Sequence, residues 1–323
     1  MQQTQEYISQ EVQRLDIFLS HQTNQTRSQI TQLIKNGYVQ IAGKKVAKPG
    51  FKLQPNQKIF VTFPTPKQEK PQAIDFDVEI LYEDDDLLVI NKPSGLTVHP
   101  APSVKEPTLV DWLKHKGIRL STISGEERHG IVHRLDKGTS GAMVVAKTNE
   151  AHQFLSNQLQ DKSMGRYYIA IITPPLKDDI TIIEKNIGRS AKNRLKMAIT
   201  PNGKYAKTMF KQLALSKDQH NQLITAKLFT GRTHQIRVHL ETINRHIIGD
   251  HIYALPPKEE KISRILLHAY IIYFIHPKTK KKVFFNAQFD NIMKNYLHNK
   301  FDIKDLNEIM DTHRIINSFP FDV

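Results

Sequence analysis

The stretch Gly130-Ile131-Val132-His133-Arg134-Leu135-Asp136-Lys137-Gly138-Thr139-Ser140-Gly141 sets a cation and a carboxylate two residues apart, ahead of a glycine-bounded turn. In extended backbone, residues two apart point to the same side, so Arg134 and Asp136 can enter one cleft. The glycines let the backbone approach a ligand closely. A carboxylate so placed can serve as base or nucleophile. Ile131-Val132 reads as a strand entering the turn, and Met143 to Ala146 as one leaving it. A surface loop with a weak exposed ion pair is the plainer alternative. A kinase catalytic loop is rejected: Leu135 separates Arg134 from Asp136, no Asn stands at the required offset, and no Asp-Phe-Gly follows.

A second stretch, Thr230-Gly231-Arg232-Thr233-His234-Gln235-Ile236-Arg237-Val238-His239-Leu240, opens a helix. Ile236 and Leu240 share one face. Arg237 lies one residue round from them, where a core-proximal cation needs a partner. His133, His234, His239, His246 and His251 invite a metal reading. There is no His-Glu-x-x-His, no Cys and no tight His–carboxylate pair, so hydrogen-bonded or surface histidines are expected and no metal.

The elements that must position these residues belong to a chain of 323 residues, enough for two domains. Hydrophobic content of 39% supports a core, and the net charge of +14 calls for a polyanion, nucleic acid or an acidic membrane surface. The absence of Cys excludes disulfides and fits a cytoplasmic location. Met1 to Gln10 lacks the apolar core of a signal peptide, and the longest apolar run, Tyr270 to Ile275, is too short to span a bilayer.

Residues 11–63 read as a small module. Arg14 to Leu19 has helical spacing, Thr26 and Gln29 have capping-box spacing, and Ile30, Leu33 and Ile34 share a helix face. Gly37 ends that helix, Tyr38 to Ile41 is a strand, Ala42-Gly43 turns, and Phe60-Val61 is a closing strand. From Arg14 to Lys58 there are eight cations, Arg14, Arg27, Lys35, Lys44 and Lys45 among them, against one acid, Asp16. That one-sided charge favours phosphate binding over a merely solvated surface. Residues 64–73, rich in Pro and Lys, form a stiff linker. A second domain, 74–300, opens with a hairpin, Val78 to Tyr82 and Leu87 to Ile90, around a solvated acidic turn. Leu109 to Lys116 and Asn149 to Lys162 read as helices. Arg166 to Ile172 is a strand in which Tyr167 and Tyr168 face opposite ways. Short strands with basic turns fill 182–229, and the tail, 301–323, has no assigned role.

His133 to Gly141 resembles the central motif of pseudouridine synthases of the RluA/RluD type, with Gly138 where an acidic residue is usual. Asn91 to Pro100 resembles that family's first motif, Tyr168-x-Ala170 its second active-site element, and Thr230 to Leu240 its third motif. Leu266 to Ala269 with His276-Pro277 resembles the closing one. The resemblance runs from about Arg14 to about Asp290. It implies that Asp136 is catalytic, that Arg237 pairs with it, and that Tyr168 covers the uracil. Arg134 would take the place of a uridine leaving its stack, Leu267 would wall the base pocket, and His133 would join the substrate contacts. Gly138 would change loop flexibility rather than chemistry.

The order Arg-Leu-Asp, Thr-Arg-Ser, Leu-Ile-Lys-Asn-Gly, Val-Gln-Ile in the first module resembles the small RNA-binding domain shared by a small-subunit ribosomal protein and tyrosyl-tRNA synthetase. Pro55-Asn56-Gln57 departs from it where Gly-Asp is usual. The expected fold is α+β: a small α/β RNA-binding domain, then a catalytic domain on a mixed, mostly antiparallel sheet. The expected activity is isomerisation of uridine in large-subunit ribosomal RNA by a cytoplasmic monomer, without cofactor or membrane partner. A non-catalytic ribosome-assembly factor on the same fold is the alternative. A glycoside hydrolase is disfavoured because no second acid has comparable context.

Overall fold

The computed structural model describes residues 3–23, 25, 27–63, 74–101, 104–122, 129–254, 262–302 and 306–319. The chain divides into two compact units; the main break falls between Ala73 and Ile74, and His129 groups with the first unit. The expected linker at 64–73, and Thr26 of the expected capping box, lie outside the described residues.

The first unit runs β1 (Gln3–Ile8), α1 (Leu15–Gln22), α2 (Arg27–Lys35), β2 (Val39–Ile41), β3 (Lys44–Lys45) and β4 (Lys58–Phe63). Its antiparallel sheet has the order β1-β4-β2-β3. Leu15, Leu19, Ile30 and Ile34 are fully buried from the helices, against Val39, Ile59 and Val61 from the strands. Ala42 and Gly43 both take positive φ, 49° and 75°, which makes the tight hairpin turn between β2 and β3. β1 precedes residue 11, where the sequence pattern begins the module. Its side chains are mostly polar, and its partner is β4, in register from Gln3 opposite Phe63 to Ile8 opposite Lys58.

The second unit opens with β5 (Glu79–Glu83), β6 (Leu87–Lys92), α3 (Leu109–His115), β7 (Ser140–Ala146), α4 (Asn149–Asp161) and β8 (Gly165–Thr173). Next come β9 (Ile180–Glu184), β10 (Ile187–Arg189), β11 (Met197–Ile199), β12 (Lys207–Leu215) and β13 (Gln222–Leu228). It closes with α5 (Gln235–Glu241), β14 (His246–Ile247), β15 (Leu267–Ile275), β16 (Lys282–Asn286), α6 (Asn291–Lys300), α7 (Leu306–Ile309) and α8 (Thr312–Asn317). The large sheet has the order β5-β6-β7-β15-β8-β13-β12-β9, with β14 on β8 and β16 on β15. All its pairs are antiparallel except β7 with β15. The expected entering strand is absent: Ile131 makes a single bridge to Val145, and 132–139 is loop.

Strand alternation along β8 sends its side chains into two core clusters. Tyr168, Ala170 and Ile172 of β8 face one cluster with Leu267 and Ala269 of β15. Tyr167, Ile169 and Ile171 face the other. The tail has a structural part here: Phe301, Met310, Ile315 and Phe319 are buried in that second cluster, and the Phe319 ring lies 5.3 Å from Tyr167. The acidic turn is also more than solvated. Asp84 accepts from the backbone of Asp86 and Leu87 and sits 2.7 Å from His276 Nε2.

The β7–β15 pairing depends on a missing Cβ. Gly141 has φ +119°, and a Cβ there would lie 2.2 Å from the Ala269 carbonyl oxygen. Gly141→Ala is expected to cost roughly 3 kcal/mol or more, from positive-φ strain and forced separation of the strands. Thermal melting checks this; an unchanged midpoint would refute it.

Candidate active site

The loop after Ile131 is held from below by the turn at Pro93-Ser94-Gly95. The Gly95 amide donates to the Lys137 carbonyl at 2.8 Å, and the Ser94 hydroxyl donates to the Gly138 carbonyl at 2.7 Å. Lys92 is fully buried and donates to the carbonyls of Pro93 and Leu96, both at 2.8 Å. Burial pushes its ammonium down to about 7, while the Asp136 charge pulls the other way. At Gly138 a Cβ would meet Ile265 Cγ2 at 3.0 Å, so the glycine leaves room that Ile265 uses.

Above this loop lies a cavity of about 110 Å³. It brings together Arg134, Asp136, Tyr168, Arg237 and Leu267, five of the six residues expected at substrate. His133 is the exception. It is not among the cavity's lining residues; its Nε2 accepts from the Val144 amide at 3.2 Å inside the sheet. Burial, helped by the nearby Arg166 charge, lowers it to about 3, so it is a neutral packing group. Arg134 lines the cavity while its neighbour His133 is tied into the sheet by the Val144 amide.

Arg237 has a second carboxylate partner besides the expected one. The expected contact with Asp136 exists, with a terminal guanidinium nitrogen 3.6 Å from Oδ2. The closer partner is Asp250, which accepts from Arg237 Nε and a terminal nitrogen, both at 2.7 Å. Asp250 also accepts from the Ile252 and Tyr253 amides. Burial alone would raise the Asp250 carboxyl; the paired Arg237 outweighs it and holds the group below the usual carboxylate range. The Tyr253 ring lies 4.8 Å under the Arg237 guanidinium, so the cation is fixed in plane and height.

The turn before α5 is tied by Gln235, whose side chain accepts from the Arg232 amide and the Thr230 hydroxyl and donates to Lys207 O and Thr208 Oγ1. His234 follows in left-handed backbone, φ 56°. Its Nδ1 is 2.8 Å from the Tyr253 hydroxyl and its Nε2 is 3.9 Å from Asp136 Oδ2. Burial lowers its pKa while the Asp136 charge opposes, which favours a neutral ring. His239 is buried against Thr208 Oγ1 at 2.8 Å. Tyr168 is 5% exposed, and burial raises its hydroxyl pKa. Sequence reasoning misses Arg166, Arg232, His234 and Asp250 as site groups. Strand alternation from Tyr168 could have found Arg166; nothing in the pattern around Gly249-Asp250 marks the partner of Arg237.

In the first unit, Asp16, the one acid between Arg14 and Lys58, is shared by two of the cations around it. Asp16 is buried and accepts from Arg14 at 3.0 Å and from Arg27 at 2.8 Å, while both arginines stay about half exposed. Arg14, foremost, holds its carboxyl below the usual range. It thus aims two guanidiniums outward. Lys35, Lys44 and Lys45 are exposed as well.

A cavity with one carboxylate among several arginines, on a chain this basic, has the charge to receive a polyanion. Residues 86–242 match the family model described as RNA pseudouridylate synthase, and residues 13–59 match that of the S4 domain. The chain is 47% identical to an uncharacterized RNA pseudouridine synthase of Helicobacter pylori (strain ATCC 700392 / 26695), over 95% of each chain. It is 38% identical to the ribosomal large subunit pseudouridine synthase D of Zymomonas mobilis, over 84% of this chain and 88% of that one. The fold is similar to that of human RNA pseudouridylate synthase domain containing 1, at 21% identity and TM-score 0.58, covering 75% of this chain and 97% of the other. The chain therefore belongs to the RNA pseudouridine synthases and carries an S4 domain before its catalytic fold. It is an isomerase acting on uridine in RNA, and among the described residues no helix is long and apolar enough to cross a membrane.

Proposed function

We propose that this synthase isomerises uridines of large-subunit ribosomal RNA, with Asp136 as the catalytic carboxylate. The observation that carries the chemistry is the convergence of Asp136, Tyr168, Arg237 and Leu267 on one cavity. Pseudouridine formation breaks N1–C1′, turns the uracil, and joins its carbon 5 to C1′. Asp136 acts at the ribose, as nucleophile on C1′ or as base toward the 2′ proton. Arg237, anchored by Asp250, sets a fixed positive charge beside the Asp136 carboxylate as the base covers it. The Tyr168 ring covers the uracil, and its hydroxyl is available for the proton that carbon 5 must lose. Leu267 closes the apolar wall. Arg134, exposed at the rim, occupies the place that the uridine leaves in the RNA stack. Resemblance to a protein named ribosomal large subunit pseudouridine synthase D supports the choice of RNA. We further take the chain to act as a cytoplasmic monomer.

Two measurements test this. Tritium release from rRNA labelled at uridine carbon 5 should be rapid with the purified protein. Pseudouridine mapping in a strain lacking it should show specific large-subunit sites reverting to uridine. Full modification of that rRNA in the deletion strain would remove the assignment of target.

The S4 unit binds phosphates through Arg14, Arg27, Lys35, Lys44 and Lys45. A protein starting near Ile74 should bind the same rRNA fragment more weakly, with a shallower salt dependence. Each phosphate that is no longer neutralised lowers the log–log slope by roughly 0.7–0.9. Identical affinities and slopes across a salt series would show that the unit does not touch that RNA.

A further inference from the structure

Arg166 stands on β8 two residues before Tyr168, on the same face, and lines the cavity with Asp136. It is 8% exposed. Among the described residues it makes no hydrogen bond or ion pair, and its Nε is buried without an acceptor. The other deeply buried arginines are matched: Arg237 by Asp250, and Arg264 by Asp290 and Ser140. A buried cation without a counter-charge costs stability, and the cost is relieved when an anion arrives. The space around it is kept open by Gly231. A Cβ at that position would lie 3.0 and 3.3 Å from the two terminal nitrogens of Arg166.

Depth says which anion. Arg134 and Arg232 are exposed and suit phosphates at the rim. Arg166 lies behind them, in a cavity far smaller than the ~300–1,000 Å³ of drug-sized sites, so a base reaches it and an RNA backbone does not. We infer that Arg166 binds the uracil as it becomes an anion, holding the charge that appears on its carbonyl oxygens when N1–C1′ breaks. This rests on the isomerisation reading above and holds for either role of Asp136. In both, the N1–C1′ bonding pair leaves with the uracil. The pair then returns through carbon 5 to form C5–C1′, carbon 5 loses its proton, and N1 gains one. A fixed guanidinium in a dry cavity favours the charged intermediate over the neutral uridine.

The test uses full-length Arg166→Met and Arg166→Lys on transcribed large-subunit rRNA made with uridine or with 5-fluorouridine. The rearranged nucleoside is resolved chromatographically after complete digestion; on 5-fluorouridine RNA carbon 5 has no proton to lose, so that product keeps its fluorine and takes up water across N1 and carbon 6. Arg166→Met should slow single-turnover isomerisation about 100-fold, hold rRNA affinity within about threefold, and melt no lower than the parent, because a burdened cation has been removed. Arg166→Lys should retain much of the rate. The Arg166→Met deficit should shrink on 5-fluorouridine RNA, where fluorine stabilises the base anion. An unchanged rate, a loss confined to affinity, a deficit with no fluorine relief, or lowered melting in both variants would overturn the inference while parent activity stands. A parent protein that isomerises neither RNA overturns the functional reading, and this inference with it.

Discussion

Asp136→Asn will fold, bind rRNA and turn over essentially nothing. The change keeps the side chain's size and removes the charge and basicity that either route at the ribose requires. Loss of such a group is expected to slow turnover by roughly 10⁴-fold or more. Stability should hardly move. The Asp136 side chain is 21% exposed and lies 3.6 Å from an Arg237 whose closer contacts are made elsewhere. Filter binding, melting and tritium release on one preparation check the three parts. Substantial tritium release would sink the assignment of Asp136, whatever the other two show.

The second large effect concerns Asp250, a residue that need not touch RNA. Its side chain is 1% exposed and pairs with Arg237 through two 2.7 Å bonds. Asp250→Ala leaves a buried guanidinium without its main counter-charge, at a cost of ~3–5 kcal/mol. Arg237 is then free to swing toward Asp136, and activity should fall along with stability. The pair also sets an acid dependence. The folded-state pKa of Asp250 is depressed, so its contribution is fully present above the unfolded value of about 3.9 and is lost as pH falls through the lower folded value. Parent protein should therefore lose stability steeply in acid, and Asp250→Ala less so. Melting-midpoint curves that stay parallel from pH 5 to pH 2 for the two proteins would show that the pair does not carry that dependence.

Much of the site is legible in the sequence. Motif context singles out Asp136, and strand alternation guarantees that only one of Tyr167 and Tyr168 can face the cavity. What stays hidden is pairing across the chain. A cation needing a partner can be recognised at Arg237, but the partner thirteen residues on is met only after α5, β14 and the turn at Gly249 reverse the chain. Arg166 looks like the start of a strand because its meaning is a lack of partners, which spacing cannot display. β1 escapes notice because its polar side chains carry no alternation; β4 supplies the reason it is a strand. The tail looks spare because its apolar residues are scattered, and they matter only against Tyr167 on the far face of the sheet.

The parallel β7–β15 contact also governs when the enzyme can begin to exist during synthesis. β7 leaves the ribosome about 120 residues ahead of the strand that closes its open side. At ~5–20 residues per second, that interval lasts roughly 6–24 s. Throughout it β7, with every residue destined for the interior, has β6 on one edge and nothing on the other. A nascent chain of this protein therefore displays an apolar strand edge of the kind that chaperones shield. It holds Asp136 before Leu267 has been made, so the cavity that both line is incomplete until β15 emerges.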